Sequence, residues 1–192
     1  METNELYPVF LKVNVLNILI VGGGNVAEEK LHFLLKSSPG ANVTVVAPEI
    51  KQELLALEGT VSIKFIKDVY DPKYLEGKHI AIATTDNVDV NIQVYQDCRD
   101  RNVLVNVADN PPYCDFYMGG IVTKGNVKIA ISTNGKSPTV AKRLRQFFEE
   151  VIPENIDDFV QNLNSYRNTI KGDFEEKVEK LNEFTKSLIS KS

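Results

Sequence analysis

The sequence predicts an α/β fold built on a parallel sheet, and three observations lead there. From Asn17 to about Pro112, short apolar runs alternate with helical patterns, as stacked βαβ units require. Several of the runs are β-branched without strict polar alternation, the pattern of strands buried on both faces. A glycine turn, Gly22-Gly23-Gly24, falls where the first run gives way to the first helical pattern.

Taken in order, strands are expected at Ile18 to Val21, Val43 to Ala47, Val61 to Ile66, His79 to Thr84 and Val103 to Ala108. Between the first two, Ala27, Leu31, Leu34 and Leu35 recur at helical spacing, and Ser37-Ser38-Pro39-Gly40 stops that helix. After Pro112 the pattern changes. The stretch from Ile121 to Ser132 reads as two strands joined at Lys124-Gly125-Asn126, a hairpin and not another crossover. Ser137 as N-cap and Pro138 at the first helical position then open a helix to about Val151, with Val140, Ala141, Leu144, Phe147, Phe148 and Val151 as its apolar stripe.

Two further stripes follow: Ile156, Phe159, Val160, Leu163, Tyr166 and Ile170, then Phe174, Val178, Leu181, Phe184 and Leu188. Asp173 and Glu176 stand where a capping box would put them. These helices have little sheet of their own to cover, so they pack back on the first domain or meet a second copy of the chain.

Composition excludes several classes. With 192 residues, 43% of them apolar, the chain is long enough for a sizeable core. A net charge of -4 and a pI near 5.3 argue against a surface basic throughout, so nucleic acid is not an expected partner. Cys98 and Cys114 form no CxxC, and only His32 and His79 are available to join them, so no metal site is expected. No stretch approaches the roughly 20 apolar residues of a membrane span, and the amino terminus lacks the pattern of a signal peptide. The expectation is a soluble, reduced, cytoplasmic protein with no membrane partner.

Gly22-Gly23-Gly24-Asn25-Val26-Ala27 gives G-x-G-x-x-A between a strand and a helix, the context that makes this motif a dinucleotide site. Gly22 permits the tight turn, Gly24 lets backbone approach a pyrophosphate, and the small Ala27 lets the helix pack close to the sheet. Phosphate charge would meet free N–H groups at the helix start. Pro48 and Glu49 follow the second strand, where a carboxylate often accepts hydrogen bonds from the adenosine ribose. Glu49 there would repel a 2'-phosphate, and no arginine lies nearby to receive one, so NAD is expected over NADP; the alternative is that Glu49 is a solvated turn residue. Thr84 and Thr85 stand at the carboxyl end of the fourth strand and are candidates for the nicotinamide-ribose side, while Asp86 would otherwise simply cap the next helix.

From Phe116 to Phe148 there is no Asp or Glu, while Lys124, Lys128, Lys136, Lys142, Arg143 and Arg145 all lie inside that strip. Such a segment suits a polyanion, unless it is only a solvated face. Within it, Ser132, Thr133 and Lys136 precede a helix N-terminus and offer hydroxyls and an ammonium to a carboxylate; a plain turn with an N-cap would explain the same residues. Asp109 follows the fifth strand on the edge facing the cofactor crevice. It is either the acid-base group that takes a proton when hydride leaves a neighbouring carbon, or an Asx-turn residue ahead of Pro111 and Pro112.

Together these motifs resemble the dehydrogenase/ferrochelatase module of siroheme synthase and its stand-alone precorrin-2 dehydrogenase relatives. The resemblance runs from about Leu6 to Val151: Tyr7-Pro8-Val9-Phe10, then Ile20 to Ala27 with Lys30, Ala83-Thr84-Thr85-Asp86, Asn106 to Pro111, and Ser132 to Pro138 before Ala141 and Arg143. It implies an α/β protein in three parts: a Rossmann-like NAD-binding domain (1–113), a small α+β dimerisation and substrate-binding region (114–151) and a helical tail (152–192). It implies NAD contacts at Asn25, Val26, Pro48 and Glu49, with Asp109 as the catalytic aspartate. The reaction implied is NAD-dependent oxidation of precorrin-2 to sirohydrochlorin by a homodimer, and some members also insert ferrous ion into the product. The carboxylate arms of the tetrapyrrole would give Lys124, Lys136, Lys142, Arg143 and Arg145 a partner. Asn134 and Lys136 depart from the glycine-rich form of that loop, which leaves its contacts open. The rival is a module that senses NAD without chemistry, which the amino-terminal half alone would permit.

Overall fold

The computed structural model describes residues 3–59 and 62–186. Five parallel strands form one sheet: β1 (Asn17–Val21), β2 (Asn42–Ala47), β3 (Ile63–Lys67), β4 (Ile80–Ala83) and β5 (Leu104–Val107), in the order β3-β2-β1-β4-β5. All five expected strands are present, though Val61 lies outside the described residues. Helix α1 (Asn25–Ser37) joins β1 to β2, and α3 (Val88–Arg101) joins β4 to β5. The other crossovers carry only a single turn, α2 (Gln52–Leu55) after β2 and a 3-10 turn at Pro72–Leu75 after β3.

The continuous apolar runs make sense in this sheet because successive side chains go to opposite faces. Ile18, Ile20, Val43, Val45, Ile80 and Ile82 join Ala27 and Leu31 of α1 in one core. Leu19, Val21, Val46, Ala81 and Ala83 join Leu75 and the α3 residues Val94 and Cys98 in the other. The three central strands, β1, β2 and β4, therefore carry apolar residues on both faces. The strand order reverses between β1 and β4, which fixes the crevice at their carboxyl ends as the place for a ligand.

The chain divides into two compact units. The first runs to Gly119 and takes in Ser132–Pro138; the second holds Gly120–Ile131 and the chain from Thr139 onward. The division expected at 113/114 thus falls at 119/120, because Phe116 and Met118 pack against the core beside α1. The segments 114–151 and 152–192, separated on the sequence pattern, share residues of one unit.

In the second unit, β6 (Gly120–Lys124) and β7 (Val127–Ile131) pair antiparallel about Gly125-Asn126, as the sequence predicts. Helices α4 (Pro138–Val151), α5 (Ile156–Thr169) and α6 (Phe174–Thr185) follow. Asp173 accepts from the Glu176 N–H at 3.0 Å and caps α6; Leu188 lies outside the described residues. Asp157 of α5 grips the hairpin turn, accepting from the Asn126 N–H at 2.6 Å and from its side-chain amide at 2.8 Å. Gly125 has φ +55°, and a Cβ there would fall on the Asp157 carboxyl group.

The backbone N–H of Asn126, with its side chain and that of Gln161, holds the Asp157 carboxyl below its ordinary value of 3.8. A depressed carboxyl stabilises the fold above that value, and the stabilisation is lost as pH falls, because the unfolded chain takes up the proton first. Asp157→Asn is expected to flatten the fall of melting temperature between about pH 5 and pH 3 relative to wild type. Parallel melting curves over that range would show that the charge on Asp157 contributes nothing to holding the turn.

Candidate active site

The first turn after β1 is built from close approaches. Gly22 has φ +124°, and a Cβ on it would stand 2.5 Å from the Thr84 hydroxyl. A Cβ on Gly23 would stand 2.2 Å from the Glu49 carbonyl oxygen. The turn is tied to both neighbouring strands: the Gly22 N–H donates to the Val46 carbonyl at 2.9 Å, and the Thr84 hydroxyl donates to the Val21 carbonyl at 2.9 Å. Lys51 N–H donates back to the Gly23 carbonyl at 3.0 Å, fastening the loop after β2 onto the turn.

Gly24 is different. It is the N-cap of α1, no side chain caps the helix there, and a Cβ on Gly24 would meet nothing within 4 Å. The first N–H groups of α1 therefore face open space over a glycine whose missing side chain leaves room, which is what a dinucleotide pyrophosphate needs. Asn25 and Val26 begin α1 beside it, and Ala27 is fully buried against the sheet, allowing the close helix packing that its size predicts. Pro48 and Glu49 are both exposed at the carboxyl end of β2, beside the turn.

Thr84 and Thr85 reach the same sheet edge, but their hydroxyls are already engaged. Thr84 is 6% exposed and holds β1. Thr85 is bound to Asn91, whose side chain accepts from the Thr85 N–H at 3.2 Å and donates to the Thr85 carbonyl at 2.9 Å. Any contact of this loop with a ligand falls to backbone or to its open faces. The cap of α3 is Asn87 and not Asp86: the Asn87 side chain accepts from the N–H groups of Asp89 and Val90, one residue closer to the helix start. Asp86 is exposed.

Asp109 lies just beyond β5 with φ +57°, the left-handed region that few non-glycine residues adopt. Its side chain is exposed and accepts no hydrogen bond among the described residues, so the Asx-turn alternative finds no bond to support it. The turn is closed instead by the Asn110 N–H, which donates to the Val107 carbonyl at 3.2 Å. Cys114 backs it from the sheet edge, donating to the Val107 carbonyl at 3.2 Å and accepting from the Val107 N–H at 3.3 Å. Burial pushes the Cys114 thiol up, away from the reactive thiolate. Of the two histidines, His79 accepts from the Asn17 N–H at 3.0 Å and His32 is exposed on α1.

Sequence reasoning missed Lys51. Its ammonium crosses to α1 and donates to the Glu28 carboxylate and, at 2.8 Å, to the Asn25 side chain. The signal for it in the sequence is a lysine two positions past Glu49.

The other expected residues divide between the units. In the first, the Asn134 N–H donates to the Ser132 hydroxyl at 3.1 Å, and the Thr133 hydroxyl donates to the Ser137 carbonyl at 3.1 Å; both hydroxyls shape the loop that carries Lys136. In the second, Lys142 and Arg143 are exposed on α4, and Arg143 reaches Gln146 at 3.0 Å. The acid-free strip is not acid-free in space. Lys124 pairs with Glu154 and donates to the Ile152 carbonyl at 2.7 Å, and Arg145 pairs with Glu149. Among the described residues, no three His, Cys, Asp or Glu side chains gather to hold a metal, and no helix is long and apolar enough to cross a membrane.

A doubly wound sheet with an uncapped, glycine-lined helix start at its switch point defines a dinucleotide-binding protein of the Rossmann class. A family model described as putative NAD(P)-binding matches residues 9–120, and one described as sirohaem biosynthesis protein central matches residues 124–150. The chain belongs to this NAD(P)-binding family of siroheme biosynthesis proteins. The siroheme synthase of Psychrobacter sp. (strain PRwf-1) is 40% identical to it over 165 residues, 86% of this chain and 34% of that protein. Siroheme synthase 3 of Aeromonas hydrophila is 35% identical over 170 residues, 88% of this chain and 36% of that protein. The chain thus spans about a third of the length of the curated relatives it matches. The solved structure of SirC, precorrin-2 dehydrogenase, matches with a TM-score of 0.73 at 25% identity, covering 93% of this chain and 88% of that one.

The open space at Gly24 gives a direct test. Gly24→Ala, with φ -93° and room for the methyl group, should leave the melting temperature unchanged. It should weaken nicotinamide dinucleotide binding about tenfold or more, by filling the place of closest backbone approach. Unchanged affinity by calorimetry would show that the pyrophosphate does not lie over Gly24.

Proposed function

We propose that this chain is an NAD-dependent precorrin-2 dehydrogenase, oxidising the tetrapyrrole to sirohydrochlorin, with Asp109 as its general base. The observation that carries the reading is the state of Asp109: a non-glycine residue in left-handed backbone, its carboxylate exposed and uncommitted, at the same sheet edge as the glycine turn. Strained backbone held in place at a ligand-facing edge is where function is to be sought. The resemblance in sequence and the likeness to SirC, a precorrin-2 dehydrogenase, support the substrate.

Gly22, Gly24, Asn25, Val26 and Ala27 would hold the dinucleotide by backbone and helix start, with Glu49 after Pro48 accepting from the adenosine ribose hydroxyls. The cofactor, when bound, supplies a two-electron acceptor. Removing a hydride from one carbon of precorrin-2 leaves a proton to be lost from the neighbouring centre, and the Asp109 carboxylate receives it. Net, the substrate gives up two electrons and two protons, one proton passing with the hydride and one to Asp109 and then water. The backbone and open faces of Thr84 and Thr85 would line the nicotinamide side.

The candidates for the substrate's carboxylate arms are Ser132, Thr133 and Lys136 in the first unit and Lys142 and Arg143 in the second, each able to offer hydrogen bonds to a carboxylate. In this reading the enzyme works in the cytoplasm as a homodimer. The exposed apolar residues Val140, Leu144, Phe147 and Val151 of α4 support a second copy. Ferrous ion would be a further substrate, entering sirohydrochlorin as Asp109 accepts the displaced pyrrole protons.

Anaerobic incubation with precorrin-2 and NAD should reduce the nicotinamide and shift the tetrapyrrole spectrum together; binding of NAD without turnover would favour the sensing module instead. Asp109→Asn keeps the shape and tolerates the left-handed backbone, so it should leave melting temperature and NAD affinity unchanged while lowering kcat by about 10² to 10⁴. Near-normal kcat would return Asp109 to a structural role in its turn. Replacing Lys142 and Arg143 together with alanine should raise KM for precorrin-2 with little change in kcat, and an unchanged KM would make them a solvated face.

A further inference from the structure

The loop after β2 carries two charges with opposite consequences for a nucleotide. Glu49, where the ribose hydroxyls would be read, repels a 2'-phosphate. Lys51, two residues on, is the one cation between Asn42 and Ala56, and an ammonium at that end of the second strand is what a 2'-phosphate would seek. Its backbone is fixed by the bond from its N–H to the Gly23 carbonyl at 3.0 Å. Its side chain, however, is turned to α1, where Glu28 and Asn25 hold the ammonium. The Glu28 hydrogen bond raises the Lys51 pKa, so the lysine is a full cation that is already paired. Both side chains keep about a third of their surface exposed, 32% for Lys51 and 35% for Glu28, so the pair is open to exchange with a charged ligand.

We propose that Glu28 sets the cofactor selectivity of this site: by holding Lys51 on the first turn of α1 it withholds the loop's cation from a 2'-phosphate, leaving Glu49 to dominate. Glu28 is thus a specificity-determining residue that acts through Lys51. The inference rests on the nicotinamide-dinucleotide reading of the glycine turn. It predicts that NAD is preferred because a lysine is sequestered, and not because a cation is missing from the loop.

The test is calorimetric titration of the full chain with NAD and with NADP, for wild type, Glu28→Gln and the double variant Glu28→Gln/Lys51→Met. Gln keeps the length of Glu28 on a partly exposed helix position, and melting curves would verify that each variant is folded. Wild type should favour NAD. Glu28→Gln should raise NADP affinity relative to NAD about tenfold or more, the scale of one freed charge-assisted contact. The double variant should return the ratio to that of wild type. The ratio matters because loss of the Glu28 charge alone would help the diphosphate of both nucleotides equally. A ratio unmoved by Glu28→Gln, a gain that survives the loss of Lys51, or a wild type that already favours NADP would each overturn the inference while leaving the dinucleotide site standing. Failure of wild type to bind either nucleotide would overturn the dinucleotide reading itself, and this inference with it.

Discussion

Everything at the ligand-facing edge of this protein depends on how closely three strands approach one another at the glycine turn. Neither Gly22 nor Gly23 has space for a side chain, since a Cβ on the first would meet Thr84 and on the second the Glu49 carbonyl. The loops after β2 and β4 are consequently seated on the turn after β1, and the bonds from Lys51 N–H to Gly23 and from the Thr84 hydroxyl to Val21 hold them there. Because the turn is closed by backbone and not by a capping side chain, the first N–H groups of α1 remain unclaimed at the switch point of the sheet. The binding capacity of the site is a by-product of packing, with the steric constraint on two glycines preparing the electrostatic opportunity at the third.

The far edge of the sheet is controlled by a different device. Among the described residues β5 has no sixth strand beside it, and the segment that follows serves the open backbone groups of Val105 and Val107. Asp115 N–H donates to the Val105 carbonyl at 2.8 Å, the Asp115 carboxylate accepts from the Val105 N–H at 3.0 Å, and Cys114 serves Val107 in the same way. Arg99 of α3 pairs with the other Asp115 oxygen at 2.9 Å. This clasp holds both ends of the turn that carries Asp109 in left-handed backbone, so the carboxylate is presented on a rigid element. Cys114, a thiol that belongs to no CxxC, thus supports the position of the candidate base.

Charge pairing in the second unit ties the hairpin to the chain after α4. Lys124 is drawn in by Glu154 and the Ile152 carbonyl, and Asn126 by Asp157, while Arg145 is matched by Glu149 one turn along α4. The bonds of Lys124 and Asn126 tie the hairpin to the segment 152–157. They also divide the basic residues into those that hold the unit together and those, Lys142 and Arg143, left facing solvent on α4.

The sequence by itself determined the sheet, the crossover helix after its first strand, the hairpin, the three helices after it and the glycine turn, because each is written in local periodicity or in residues a few positions apart. It also placed Asp109 beyond β5, since strand ends follow from the same pattern. Only the tertiary structure decided which side chains remain available. Thr85 is taken by Asn91, Lys51 by Glu28, and Lys124 by Glu154, each pairing bringing together residues separated by a turn or more of chain that no local pattern relates. Propensity and periodicity act between neighbours in sequence, whereas the partner of a charge or hydroxyl is set by what packing brings within hydrogen-bond distance, and that is fixed only when the whole unit has folded.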